Sequence, residues 1–461
     1  MSPAAANTSS GPSVQSILAQ AKDANVKLVR LQFVDIHGLP KNMSIHVDQL
    51  EKALNNEHML DGSSIAGFRT IETSDMYFFP DRSTFQVLPW DLGTDDPSRR
   101  GEGKKVARII CDIHNPDGTP FEGCPRNNLK RVLAEVRNQG YVFNVGPELE
   151  FFLFEKNADG SFSTRTHDHA GYYDLGPDDR GELVRGDIVE ALETLGFEME
   201  ADHHEVAQGQ HEIDFKYADA LTQADNVTTA KIVTRKIAAD HGLHATFIPK
   251  PVYGVNGSGM HCNQSLAHLD GKNAFADDQG DYGLSLAAHQ YIGGLLKNVR
   301  GITAITNPLV NSYKRLVPGY EAPVYVAWSA ANRSALLRVP AKRGNATRVE
   351  LRSPDPAANP YLAFAALVMA GLDGIQGKVE PPNPVTSNIY RLSELEREEK
   401  GVASLPGSLY EALEEMKASQ VAKQALGEHI FGEFIKAKTR EWDTFRTCVT
   451  PWELDQYMAK F

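Results

Sequence analysis

Gly146-Pro147-Glu148-Leu149-Glu150-Phe151-Phe152-Leu153-Phe154 is the stretch whose reading decides the architecture. It is apolar, aromatic and short, and it reads as a β-strand. Successive strand side chains point to opposite faces, so Glu148 and Glu150 share a face with Phe152 and Phe154, while Leu149, Phe151 and Leu153 take the other. Two neighbouring carboxylates repel each other and are costly to bury. Either something positive offsets them, or this is a solvated strand end with Arg or Lys partners.

Three further stretches carry the same kind of chemistry. In His203-His204-Glu205-Val206-Ala207-Gln208-Gly209-Gln210-His211-Glu212-Ile213-Asp214, a tight turn centred on Gln208-Gly209 sets Glu205 opposite Glu212. Their Cβ atoms then lie about 5 Å apart across a ladder. The alternative is a longer loop with both glutamates exposed. Asn256-Gly257-Ser258-Gly259-Met260-His261-Cys262-Asn263-Gln264-Ser265 is a Gly-rich turn leading into a strand with His261, Asn263 and Ser265 on one face. It is neither a P-loop nor a dinucleotide fingerprint, and a structural histidine is the plainer reading of His261. Arg348-Val349-Glu350-Leu351-Arg352 puts Arg348, Glu350 and Arg352 on one face, either as an anion-binding fork or as an ion-pair ladder. Lys314 to Pro323 and Asn332-Arg333-Ser334 add arginines, and Glu321 in a Pro/Gly-framed loop able to serve as a lid or as ordinary surface. Glutamates with one imidazole suit Mg2+ or Mn2+ rather than structural zinc. With arginines beside them they serve phosphoryl transfer. From the residues alone, this is a metal-dependent, ATP-using enzyme acting on an anionic substrate.

Composition narrows the field. The 461 residues carry 47 Lys+Arg and 60 Asp+Glu, a net charge of −13, which argues against nucleic-acid or anionic-membrane binding. Hydrophobic content of 41% and charged content of 23% are those of a globular chain. Cys111, Cys124, Cys262 and Cys448 lie far apart with no CxxC pair, which fits a reducing cytoplasm better than a disulfide framework. Leu362 to Leu372 is too short to span a membrane and reads as a buried helix. Met1 to Ser13 reads as a flexible tail with no secretory signal. Val14 to Asn25 has helical spacing, and Val26 to Ile36 reads as a strand with Val29, Leu31 and Phe33 on one face. Asp91 to Lys105 reads as an exposed loop, Glu394 to Lys400 as a solvated charge run, and Leu409 to Phe461 as mainly helical. The turn-rich Asn115-Pro116-Asp117-Gly118-Thr119-Pro120 marks a domain boundary, dividing 14–117 from 118–461.

At these residues the chain resembles glutamine synthetase of the bacterial type I family. The resemblance runs from about Leu28 to Phe461 and includes Asp61-Gly62-Ser63-Ser64, Gly146 to Phe154, His203 to Asp214, Asn256 to Cys262, Lys314 to Pro323, Asn332-Arg333-Ser334 and Asp355 to Tyr361. The absence of a long catalytic-domain insertion resembles the feedback-regulated alpha subtype. The fold implied is α+β: a small N-terminal β-grasp domain followed by a large catalytic α/β domain. The assembly implied is a dodecamer of two hexameric rings, with each active site closed by the neighbour's N-terminal domain.

The resemblance also implies roles, position by position. Glu150, Glu205 and Glu212 bind a first metal, and Glu148, His261 and Glu350 a second. Glutamate is held by Arg315, Arg352 and the backbone around Asn256 and Gly257. Arg333, Arg338 and Arg348 contact phosphates, and Ser265 contacts the nucleotide. Glu321 lies on a closing flap. Asp61, with Ser64, Tyr172 and Glu205, forms the ammonium site. The implied reaction has glutamate attack ATP to give γ-glutamyl phosphate, from which ammonia displaces phosphate. The rival readings are a γ-glutamyl ligase for a polyamine or ethanolamine, and a non-catalytic regulatory relative. A nitrogen-regulatory protein is an implied partner.

Two departures stand out. After Asp-Gly-Ser-Ser the alpha subtype carries an acid and then an arginine tied to glutamine feedback; here Ala66 and Thr70 stand at those places, with Arg69 one step earlier. Weakened or rewired feedback is expected. Tyr390 aligns with the tyrosine adenylylated in the beta subtype, but Arg391 and Leu392 after it do not match that context, so no adenylylation is expected.

Overall fold

The computed structural model describes residues 11–92, 103–320, 322–330, 332, 334–385 and 401–461. Helix α1 (Val14–Asp23) starts at Ser13, whose side chain accepts the Ser16 N–H. It leads into β1 (Val26–Val34), where Val29, Leu31 and Phe33 are buried and Arg30 and Gln32 half-buried, the period-two pattern expected of this sequence. β1 pairs antiparallel with β2 (Pro40–His46) and parallel with β6 (Lys104–His114). β3 (Met59–Asp61), β4 (Asp75–Pro80) and β5 (Gln86–Leu92) complete a six-stranded sheet of order β2-β1-β6-β4-β3, with β5 also on β6. α1 and the short α2 (Leu50–Leu54) pack Ile17, Ala21, Leu50 and Leu54 into one core with this sheet. The expected exposed loop from Asp91 to Lys105 is shorter than its sequence suggested. Asp91 pairs with Lys105 as a ladder partner and an ion pair, Nζ–Oδ1 2.8 Å, and residues 93–102 lie outside the described set. So does the charge run 394–400.

Asn115 to Thr119 closes a turn after β6, with the Asn115 N–H donating to the Thr119 carbonyl. Then come α3 (Pro125–Asn138), β7 (Tyr141–Lys156), β8 (Phe162–Thr166), α4 (Glu182–Thr194), β9 (Met199–His204), β10 (Gln210–Phe215), β11 (Ala218–Asp219), α5 (Ala220–Asp240), β12 (Leu243–Thr246) and β13 (Met260–His268). α6 (Leu286–Thr306), α7 (Ser312–Arg315), β14 (Trp328–Ser329), β15 (Leu337–Arg338), β16 (Val349–Leu351) and α8 (Pro360–Gly377) follow. Helices over Leu409–Ala418, Gln420–Phe445 and Pro451–Tyr457 end the chain, as the spacing there suggested. The second sheet runs β14-β15-β16-β13-β7-β10-β9, with β8, β11 and β12 also pairing with β7.

β7 is the long central strand. Leu149, Phe151 and Leu153 enter the large core, while Phe152 and Phe154 stack on the other face with Ala207. α8 is buried nearly all round, as its apolar run implies. It lies close against α6 because Gly294 and Gly374 face each other: a Cβ on Gly294 would stand 2.6 Å from the Gly374 nitrogen. Among the described residues, no helix is long and apolar enough to cross a membrane. All four cysteines are free thiols.

One cation ties the two sheets together. Arg126, at the start of α3 and 3% exposed, meets Asp225 of α5 through Nε and Nη2 (2.9 and 2.8 Å), Asp112 of β6 (2.9 Å) and Asp81 after β4 (2.8 Å). Tyr361 Oη donates to Asp225 at 2.6 Å. Asn359 adds a second joint, capping α8 through the Tyr361 N–H and donating to the Asp35 and Ile36 carbonyls. Removing one partner of a buried ion cluster leaves the rest uncompensated. Arg126→Met is therefore expected to cost about 3–5 kcal/mol in urea unfolding, and Arg126→Lys, which keeps the charge but not the fork, less.

Candidate active site

The ladder places like charges face to face. β7 runs between β10 and β13, so Glu150 lies directly opposite Glu212, Glu148 opposite Asp214 on one side, and Glu148 opposite His261 on the other. β16 then pairs with β13, setting Glu350 opposite Asn263. The carboxylates come from strands because alternate strand residues share a face. The helices and Leu149, Phe151 and Ile213 fill the opposite face.

The turn before β10 differs from the one expected. Glu212 pairs with His203 and His211 with His204, so Glu205 is not across the ladder from Glu212. Gln208 and Gly209 do sit at the tip of a turn, with the Gln210 N–H donating to the Ala207 carbonyl at 2.9 Å, but the ladder resumes only at His204 and His211, and Gly209 is held from outside the hairpin. It adopts φ +69°, its carbonyl accepts the Leu153 N–H at 2.8 Å, and its N–H donates to Asp168 Oδ1 at 2.8 Å. Those bonds draw Gly209 onto β7 and lengthen the loop to residues 206–209, closed by the Glu205 N–H to the Gln210 carbonyl. Glu205 still reaches the cluster, from the end of β9 rather than across the ladder.

Two donor groups result. Glu148, His261 and Glu350 each offer an atom within 4.8 Å of the others; so do His203, Glu205 and Glu212. Glu148 accepts from His261 Nδ1 (2.9 Å) and Asn263 Nδ2 (2.9 Å). Glu350 sits between Arg338 (2.7 Å) and Arg352 (3.2 Å). Glu150 accepts from Gln210 Nε2 and the Gly259 N–H, both at 2.9 Å, with His261 Nε2 at 3.8 Å. His203, which the sequence reading passed over, supplies the imidazole of the second group. Correct pairing of Glu212 would have pointed to it. Asp214 and Gln210 were also passed over. Asp214 Oδ1 is buried with no hydrogen-bond partner among the described residues.

Charge crowding is written into the proton affinities. Burial, then Glu205, pushes Glu150 up to about 7. Burial, then Glu148, pushes Asp214 up to about 8. Glu212 rises well above the ordinary carboxylate range through burial and the charge of Glu150. Glu148 goes the other way: burial works against it, but the His261 hydrogen bond and charge hold it down to about 2. Oxygen donors, two imidazoles and an unpaired buried carboxylate oxygen fit hard divalent cations.

The cluster opens into a cleft of about 640 Å³ that also admits Asn256, Gly257, Arg315, Arg338, Arg352 and Tyr172. Arg315, on α7, is 3% exposed and donates to the Arg352 and Ser353 carbonyls. A second recess of about 250 Å³ shares Glu148 and Asp214 and is lined by Ser265, Lys342, Asn345 and Arg348. Arg348 Nε donates to Asn263 Oδ1 at 2.8 Å. Asp61 and Ser64 are not brought to the cleft. Asp61 is exposed at the end of β3, an edge strand of the first sheet, where it accepts the Ser63 N–H at 2.8 Å. Glu321, Arg333 and Tyr390 lie outside the described residues, although Gly319, Tyr320 and Ala322 line the cleft.

The sequence model for "Glutamine synthetase, beta-Grasp domain" matches residues 25–116, and that for "Glutamine synthetase, catalytic domain" matches residues 122–457. A curated glutamine synthetase of Clostridium saccharobutylicum is 56% identical over 97% of this chain and 99% of its own length. One of Staphylococcus aureus strain MW2 is 56% identical over 96% of this chain and 97% of its own. Among solved structures, a GmaS/ADP complex superposes with TM-score 0.86 at 30% identity, covering 96% of this chain and 99% of that one. A cryo-EM Plasmodium falciparum glutamine synthetase gives 0.84 at 26%, covering 97% and 99%.

The raised carboxylates give a signed pH dependence. A carboxylate that binds its proton more tightly when folded destabilises the fold as pH rises through its folded pKa. In chelator-stripped protein, Glu150 and Asp214 therefore subtract stability between about pH 4.5 and 8. A cation competes with those protons. Added Mg2+ is expected to raise Tm more at pH 8 than at pH 6 and to release protons on binding at pH 7, checked by thermal scans and by calorimetry in two buffers.

Proposed function

The chain belongs to the glutamine synthetase family, and on that premise we propose a residue-level account of how it joins ammonia to glutamate at the expense of ATP. It is an enzyme of ATP-dependent glutamine synthesis; members of the family use ATP and a divalent metal. The observation that carries the account is the pair of donor groups on one sheet face, ringed by Arg315, Arg338 and Arg352.

Glu148, His261 and Glu350 hold one Mg2+ or Mn2+, and Glu205 and Glu212, with Glu150 or His203, hold another. When bound, these cations neutralise phosphate oxygens and so lower the barrier to transfer. The nucleotide takes the recess of Ser265 and Arg348, and the phosphate-contacting role falls to Arg338 and, from the family resemblance alone, Arg333. Arg315, Arg352 and the backbone at Asn256 and Gly257 hold glutamate with its γ-carboxylate toward the terminal phosphate. Its attack gives γ-glutamyl phosphate and ADP. Phosphorylation turns a poor electrophile into one with a leaving group. The segment bearing Gly319 and Glu321 keeps water from that acyl phosphate.

Ammonium is held by Asp61, Ser64, Tyr172 and Glu205. Asp61 takes its proton, and ammonia then displaces phosphate. Tyr172 lines the cleft while Asp61 stands exposed on an edge strand of the other sheet, which supports a site completed by the N-terminal domain of a neighbouring copy. A dodecamer of two rings meets that need. The domain division at 117/118 and a cytoplasmic setting for the four free thiols belong to the same reading. Arg69 is engaged by Glu122 (3.1 Å), Asn115 (3.0 Å) and the Phe121 ring, leaving Thr70 at the feedback position. That supports the alpha-like chain with weakened glutamine inhibition.

Phosphate release from ATP with Mg2+ and glutamate, across a panel of amines and with products weighed by mass spectrometry, tests the account. Glutamine from ammonium is expected to dominate; preference for a larger amine overturns the ammonium site. Asp61→Ala is expected to cut amide formation by about 100-fold or more while leaving the Kd for ATP within about twofold. Equal loss of both removes Asp61 from the proton-transfer role.

A further inference from the structure

Behind the cleft lies a buried polar joint that the reaction as written does not use. Asp168, 1% exposed, follows β8. Its Oδ1 accepts the Gly209 N–H at 2.8 Å. Its Oδ2 lies 3.2 Å from His204 Nε2, and His204 Nδ1 lies 2.6 Å from the Glu205 carbonyl. Both of His204's partners are acceptors, so both ring nitrogens donate. Asp168 thus grips the Glu205 loop at both ends: through His204 at the end that carries Glu205, and through Gly209 at the other. Four residues on from Asp168 stands Tyr172, and the next residue's N–H, Tyr173, donates to the His204 carbonyl at 3.2 Å. The joint is packed from behind. His211 packs edge-on against His204, ring centroids 4.8 Å apart, and its Nδ1 meets Arg185 at 3.0 Å; Arg185 is clamped bidentately by Asp179 (2.8 and 3.1 Å). A Cβ on Gly181 would sit 2.2 Å from the His211 ring, so the backbone there closes directly against it.

We propose that Asp168 is a positioning residue for the ammonium site, fixing the segment of Tyr172 and the loop of Glu205 in one mutual arrangement through its two carboxylate oxygens. It touches no substrate; it acts through Gly209 and His204. The proposal rests on the reading of Tyr172 and Glu205 as ammonium-site residues. A site for a small cation needs its donors held closely, because a misplacement of about 1 Å at such a site costs on the order of 100-fold.

The test is initial-rate kinetics at saturating Mg2+, with ammonium chloride, glutamate and ATP varied in turn. Asp168→Ala leaves a buried N–H and a ring nitrogen without acceptors. It is expected to raise the KM for ammonium about tenfold or more, with the KM values for glutamate and ATP within about twofold. Asp168→Asn can accept from Gly209 and donate to a neutral His204, so it is expected to restore the ammonium KM to within about threefold. Should Asp168→Ala not assemble, His204→Gln keeps a donor toward Asp168 but loses the Glu205 carbonyl, and the same ammonium-selective rise is expected. A parallel rise in all three KM values, a fall in kcat alone, or no rescue by Asp168→Asn overturns the proposal. Tyr172→Phe, measured alongside, separates the two levels. If it raises the ammonium KM and Asp168→Ala does not, the positioning role fails alone. If neither does, the ammonium-site reading fails with it.

Discussion

The structure depends on a ladder that sets like charges against each other. Glu150 faces Glu212 and Glu148 faces Asp214 across adjacent strands, an arrangement that destabilises a sheet unless cations intervene. Arginines do part of that work at Glu350, and His261 does it at Glu148. Neither neutralises Glu212 or Asp214, whose protons are held tightly instead. Hydrophobic burial elsewhere must therefore keep the acidic face in place. The far side of β7 enters a continuous core, and α8 sits inside that core on nearly every face. A divalent cation placed between these carboxylates would relieve that repulsion.

Much of this was legible in the chain because strands read simply. The faces of β7 follow from period-two alternation in Glu148 to Phe154, and those of β1 from Val29, Leu31 and Phe33. The buried nature of α8 follows from an apolar run too short to span a bilayer. Parity put Glu148, His261 and Glu350 each on one face of a strand, but only the family resemblance grouped the three; the alternation alone does not say which strands are neighbours.

What was not legible depended on contacts distant in sequence. The turn at Gln208-Gly209 forms, yet the register beyond it is not the one a two-residue hairpin sets, because Gly209 also bonds Asp168 and Leu153, about 40 and 60 residues away in the chain. That shift replaced Glu205 by His203 as the ladder partner of Glu212 and hid a donor. The Asp91 to Lys105 loop lost its ends for a similar reason: Asp91 finds Lys105 across a ladder. Local turn propensity is weak against a buried charge that needs a backbone N–H.

The same logic explains why the acidic face and its supports come from so many segments. Three of the carboxylates in this sheet are held by donors from other elements far along the chain: Gln210 and Gly259 for Glu150, Asn263 for Glu148, Arg338 for Glu350. The domain joint at Arg126 repeats the pattern, with one guanidinium serving three aspartates from three elements. Such bonds are worth little net while satisfied and a great deal when broken. The fold therefore gains specificity rather than bulk stability from its polar interior: any packing that moved one strand by a single residue would leave several buried charges without partners at once.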